Sequence, residues 1–186
     1  MELFDAIYGR QSSGKVKPDP LPHALIEKLL GAAVQAPNHH RVRPWRFVVL
    51  EGMARERLGD VMAQAMQQRD PQTLPAALDV ERARPLRAPV LIVVGVDRPA
   101  EPKVVEIENV CAAAAAAQNL LLAAHALGLA AMWRTGPAAL DPLVKAFLGL
   151  SAEQHLIGFI YLGYPLSDQT PVTRPGYEDR VTWLQG

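Results

Sequence analysis

Leu3, Phe4, Ile7 and Tyr8 recur at the spacing of one helix face, so a short amphipathic helix opens the chain and stops at Gly9. Pro18, Pro20 and Pro22 then hold off further helix until Pro22, which suits a first helical position. Leu25, Ile26, Leu29, Leu30, Ala33 and Val34 give a second amphipathic helix, ended by Pro37. The run Phe47-Val48-Val49-Leu50, closed by Glu51-Gly52, predicts a strand and a turn. Residues 54–68 read as a polar-faced helix, and residues 70–88, with three prolines, as a mobile and partly helical surface segment.

Ala88 to Val96 is nearly unbroken in apolar residues and predicts a strand buried on both faces. An alanine-rich helix follows over 105–127, with Gly128 placed to cap it. Leu129 to Trp133 and Leu156 to Tyr164 predict two more strands. Between them Asp141 caps a helix that has Pro142 at its first position and runs to Leu148. After Pro165 the pattern fades: the tail to Gly186 has three prolines, and only Val181 to Leu184 looks like an element. A tail of this length without core residues is unusual in a compact domain, so it is expected to pack on another subunit. The expected organisation is one domain over 1–164 and a C-terminal extension over 165–186.

Composition narrows the function classes. Of 186 residues, 49% are hydrophobic and 20% charged, which excludes a largely disordered chain. Lys plus Arg and Asp plus Glu both count 19, so the basic excess of a nucleic-acid binder is missing. The apolar stretch from Val110 to Trp133 carries Gln118, Asn119 and His125 and is mostly alanine, so it reads as a buried central helix, and no membrane partner is expected. A single cysteine, Cys111, permits no internal disulfide and reads as a small core residue. This fits a reducing compartment, and the acids in the first residues do not fit a signal peptide, so a cytoplasmic location is expected.

Several motifs carry candidate chemistry. Gly9 to Val16 has the glycine and lysine spacing of a P-loop but lacks the final Ser/Thr, and it follows a helix instead of a strand. Arg10 and Ser12 just past a helix end suit either a phosphate clamp or a solvated turn. His39 and His40 are adjacent, with no third ligand at a recognisable spacing, so a metal site is not expected. Trp133-Arg134-Thr135-Gly136 ends a strand, and Arg134 there pairs with either an anionic ligand or a carboxylate on the rim. No G-x-S-x-G or G-x-G-x-x-G motif occurs.

Three stretches, in register over residues 2–165, resemble the FMN-dependent nitroreductase family, in its small branch of roughly 180 residues. They are Arg10-Gln11-Ser12; Ala36-Pro37-Asn38-His39 with Pro44-Trp45-Arg46-Phe47; and Gly128 through Gly136 with Gly158 to Pro165. The resemblance implies an α+β, three-layer fold: a central, mostly antiparallel sheet flanked by helices, in an interlocked homodimer with FMN at the interface. It implies FMN contacts at Arg10, Gln11, Ser12, Gln35, His39, Trp133, Arg134 and Thr135, with Gln35 and His39 supplied by the other subunit. Gln11 stands where the family usually has arginine. Arg10 and Arg134 would both answer the FMN phosphate. The helix end Ala123 to Gly128 lies where some members contact nicotinamide.

The expected activity is therefore hydride transfer from NAD(P)H through FMN to a nitroaromatic, quinone-like or other small acceptor. The chemistry would sit on the flavin, with no catalytic side chain. The alternative is a flavin-binding protein with little turnover, serving flavin handling or a partner.

Overall fold

The computed structural model describes residues 1–168, 170 and 172–185. Its centre is the strand foreseen from the longest apolar run. The strand β2 (Val90–Val96) is buried at every position. Its alternate side chains enter two different cores: Val90, Ile92, Val94 and Val96 on one face, Leu91 and Val93 on the other. A strand alternates its side chains across the sheet, so a continuous apolar run needs cover on both faces. The covered sheet has four strands in the order β1-β2-β4-β3, with β1 at Trp45–Glu51, β3 at Ala130–Arg134 and β4 at His155–Gly163. All three pairings are antiparallel, with Val93 opposite Val48 on one side and Phe159 on the other. This is the three-layer α+β arrangement expected from the sequence.

One helical layer contains α2 (His23–Ala33) and α5 (Glu106–Ala126). Ala112, Ala113, Ala116 and Ala117 of α5 are buried against the sheet beside Leu120, Leu29 and Ile160. Their small side chains let the helix axis approach closely. Asn119 donates to the Ala32 carbonyl at 3.3 Å and ties α5 to the end of α2. The opposite layer holds α3 (Met53–Arg69), α6 (Pro137–Leu140) and α7 (Pro142–Phe147), with Leu58, Met62, Val144 and Leu148 in its core. Asp141 caps α7 as anticipated, accepting from the Leu143 N–H at 2.9 Å. α6 has no periodic apolar signal in its four residues and was not foreseen.

Two expectations need correction. The segment 70–88 is not a loose surface stretch: it forms α4 (Pro75–Ala83) and a 3-10 turn at Arg84–Arg87, with Glu81 and Pro85 buried. Its packing is visible at Gly59 of α3, where an added Cβ would sit 2.1 Å from the Arg82 carbonyl oxygen. Val181 to Leu184 forms no strand, and Trp183 and Leu184 are 76% and 93% exposed. The outer face of α1 (Leu3–Gly9) is equally bare, with Phe4 and Tyr8 at 67% and 73%.

The contact at Gly59 makes a direct prediction. Gly59→Ala should destabilise the protein by about 1–3 kcal/mol, because overpacking against a fixed backbone outweighs the gain of about 1 kcal/mol in helix propensity. Urea denaturation should show a lowered midpoint, and an unchanged or raised midpoint would refute the close approach.

Candidate active site

The chain leaves α1 with its backbone pressed on the end of α5: a Cβ on Gly9 would lie 2.9 Å from His125 Nε2. It then runs beside the edge strand β3. Ser12 bridges in parallel to Ala131, and the Ser13 N–H donates to the Ala131 carbonyl at 2.9 Å. Two residues on, Gly14 faces Met132 and Arg134, whose Nη2 would lie 3.5 Å from an added Cβ. The fold thus brings two stretches remote in sequence to one sheet edge, with Ser12 beside Ala131 near the start of β3 and Gly14 beside Arg134 at its end.

The start of the tail lies over this edge. Arg174 donates to the Tyr8 carbonyl at 3.0 Å and to the Arg10 carbonyl. Gln11 donates to the Thr170 carbonyl at 3.0 Å. Partial burial and the neighbouring charge of Arg174 hold the Arg10 guanidinium below its ordinary pKa. Among the described residues neither arginine is paired with a carboxylate of another element. The Arg174 guanidinium is thus engaged with two backbone carbonyls, and Arg10 has a positively charged neighbour. Arg174 was not singled out in the sequence, because a Thr-Arg-Pro in an unpatterned tail gives no signal until its contact with α1 is seen.

Strand alternation separates Trp133 from Arg134. Trp133 packs toward the core shared with α5, and its Nε1 donates to the Ile157 carbonyl at 2.9 Å. Gly158 makes room for the indole, since a Cβ there would lie 2.1 Å from Nε1. Arg134 turns to the other face and lies over the Tyr161 ring, 5.7 Å from its centroid. That cleft, of about 310 Å³, also receives Arg84 and Arg87. Arg10 thus has Arg174 as its charged neighbour, whereas Arg134 has Arg84 and Arg87 around Tyr161. Thr135 is exposed at the end of β3.

Gln35 and His39 lie away from this edge. Gln35 is exposed after α2 and donates to the Gly31 carbonyl at 3.2 Å. His39 faces Glu108 at the other end of α5, with Nδ1 3.2 Å from the carboxylate. It lines a hollow of about 470 Å³ with Pro37, Ile107, Glu108 and Cys111. Cys111 is therefore exposed on α5 and is not the core residue expected. Next to His39 the backbone is strained: His40, Arg41 and Arg43 have φ of 51°, 55° and 50°. Non-glycine residues adopt such angles at a cost of about 1–2 kcal/mol each. Asn38 braces the loop by accepting from the Arg43 N–H at 2.9 Å.

A two-sided antiparallel sheet covered by α2 and α5 on one face and by α3, α6 and α7 on the other defines an α+β protein of the nitroreductase-like class. The profile of the Nitroreductase family matches residues 7–164, and the chain belongs to that family. It is 31% identical over 186 residues to the Escherichia coli protein named "Putative NAD(P)H nitroreductase YdjA", covering 99% of this chain and all of that one. A nitroreductase-like family protein from Bacillus cereus superposes with a TM-score of 0.85 at 24% identity, over 100% of this chain and 97% of that one. A nitroreductase with bound FMN from Bacteroides fragilis superposes with a TM-score of 0.75 at 22% identity, over the whole of both chains.

The Trp133 pocket can be probed by Gly158→Ala. The new methyl group would displace the indole and break its bond to Ile157, costing about 2–4 kcal/mol from overpacking and the lost hydrogen bond. Near-ultraviolet circular dichroism should lose part of its tryptophan signal and the thermal midpoint should fall. A wild-type spectrum and midpoint would contradict the geometry.

Proposed function

We propose that this nitroreductase-family protein is a homodimeric, FMN-dependent oxidoreductase that takes hydride from NAD(P)H and passes it to small acceptors, nitroaromatics and quinones among them. The observation that carries the reading is the sheet edge where Ser12 meets β3 at Ala131, with Arg10 and Arg174 in no ion pair among the described residues. That pair fits the phosphate of FMN, which carries about −1.5 to −2 charges. Gln11 adds a neutral amide beside them and no further charge. When bound, FMN would supply the two-electron chemistry, and the protein provides binding, orientation and electrostatics. The cleft edge at His125 and Gly128 lies beside Gln11 and Tyr8, within reach of a nicotinamide donor at the end of α5.

The dimer follows from the length of α5. His39 sits at Glu108 and Gly9 at His125, 17 residues apart, or about 25 Å along the helix axis. One chain therefore keeps His39 far from its own Arg10. A second copy supplies Gln35 and His39 to each flavin, and the bare faces of α1 and of the tail from Pro165 become the interface. His39 then serves as a packing or hydrogen-bonding group toward the flavin, not as a metal ligand. A cytoplasmic location agrees with this reading, since the donor NAD(P)H is an intracellular cofactor and the one cysteine is exposed as a thiol.

Anaerobic mixing of the purified yellow protein with NADPH or NADH is the test. Rapid bleaching of the visible flavin absorbance is expected, whereas persistent yellow would favour a flavin-binding protein without turnover. Arg10→Ala and Arg174→Ala should each weaken FMN binding by about 10- to 150-fold, from about 1.5–3 kcal/mol per charged hydrogen bond. Gln11→Ala should cost less, since no charge is lost. Fluorescence titration of the apoproteins reads these values, and wild-type affinity in both arginine variants would overturn the phosphate assignment. Light scattering should give twice the 20.3 kDa chain mass; a stable folded monomer would overturn the dimer.

A further inference from the structure

We propose that Glu108 is a positioning residue for His39: its carboxylate holds the imidazole with Nδ1 turned to α5, so that Nε2 is the nitrogen presented to a bound flavin. The dimeric flavin reading supplies what Nε2 meets, whereas the orientation of the ring stands on the geometry of one chain. His39 Nδ1 lies 3.2 Å from Glu108 Oε1. Glu108 stands in the first turn of α5, where the helix dipole favours a carboxylate. It is half-buried, while His39 is exposed, so the anchored acid sets the direction of the freer ring. Among the described residues Glu108 is in no other ion pair. A partner facing one ring nitrogen decides which nitrogen keeps the proton. With the proton on Nδ1, Nε2 is left as an acceptor, and it becomes a donor when the ring is protonated.

The loop around His39 is braced in a way that serves this orientation. The left-handed backbone at His40, Arg41 and Arg43 persists only where surrounding contacts over-determine it, and such strain clusters at ligand clamps. The bracing contacts are local and several. Asn38 Oδ1 accepts from the Arg43 N–H at 2.9 Å, and the Val42 N–H donates to the His39 carbonyl at 3.2 Å. The Asp97 N–H donates to the Pro44 carbonyl at 2.7 Å and ties the end of the loop to the strand side of α5. The His40 ring meets the His39 ring edge-on, with centroids 6.1 Å apart. Beside the pair, Pro37, Ile107 and Ala112 make the wall of the 470 Å³ hollow largely apolar. An apolar wall with one oriented polar group is the usual make-up of a site for a planar ring.

Nitrogen NMR of isotope-labelled apoprotein reads the ring directly, at a pH where the histidine is neutral and with the His39 signals assigned by comparison with His39→Ala. The proton is expected on Nδ1 in the wild type and distributed over both nitrogens in Glu108→Ala. Glu108→Gln keeps an acceptor oxygen at the same reach and should restore most of the Nδ1 form. FMN titration of the apoproteins then tests what the orientation is for. Glu108→Ala and His39→Ala should each weaken binding by about 2- to 10-fold, the value of one hydrogen bond. The double variant should fall no further than His39→Ala, because Glu108 acts only through the imidazole. Thermal midpoints of the apoproteins check that the variants fold. A wild-type proton on Nε2, or a tautomer that Glu108→Ala leaves unchanged, overturns the proposal. So do additive losses in the double variant, or wild-type FMN affinity in both single variants. If the wild type binds no FMN, the flavin reading fails while the NMR spectrum still decides the orientation of His39.

Discussion

The length and rigidity of α5 set the terms for the rest of the molecule. Twenty-one residues, most of them alanine or leucine on the buried side, lie across the sheet as one straight element. Alanine fits that role because it allows close approach to the strands and favours helix at every position. The cost is separation: the loop carrying His39 is anchored at one end of the helix, and the segment carrying Arg10 at the other. A ligand that needs both must be shared between two copies of the chain. In the proposed dimer the bare apolar face of α1 and the exposed end of the tail would be the surfaces that meet.

Charge is organised around that frame in two ways. On the surface, acids and bases meet locally: Arg46 with Asp97, Arg82 with Asp60 and Asp79, Arg98 with Glu106. Such exposed pairs contribute little to stability. Near β3 the pattern changes. Among the described residues Arg10 and Arg174 form no ion pair, and of Arg84, Arg87 and Arg134 only Arg84 is paired, with Glu81. A chain whose formal charge is zero overall thus keeps a local group of arginines near β3.

Much of this was legible in the residues. The apolar run of β2, the caps at Asp141 and Gly128, the helix face of α2 and the extent of α5 each fell within a residue or two of the observed elements. These are local signals, carried by side-chain period and turn chemistry. The segment 70–88 is partly helical as read, but its anchoring was missed, because the packing of Gly59 against Arg82 that holds α4 is a contact between distant residues. Cys111 was misplaced because an alanine-rich helix has almost no amphipathic contrast to show which face is buried.

The sequence by itself determined the class of fold, the four strands and their places along the chain, and the residue types that would meet a phosphate. Those depend on local patterning and on motifs that survive as short strings. Only the tertiary structure decided which arginines keep company. It put Arg174 beside Arg10, turned Arg134 toward Arg84 and Arg87, and held His39 a helix length away from both. The reason is that electrostatic neighbours are chosen by strand alternation, helix length and the path of a tail, none of which is written in the spacing of the charges along the chain.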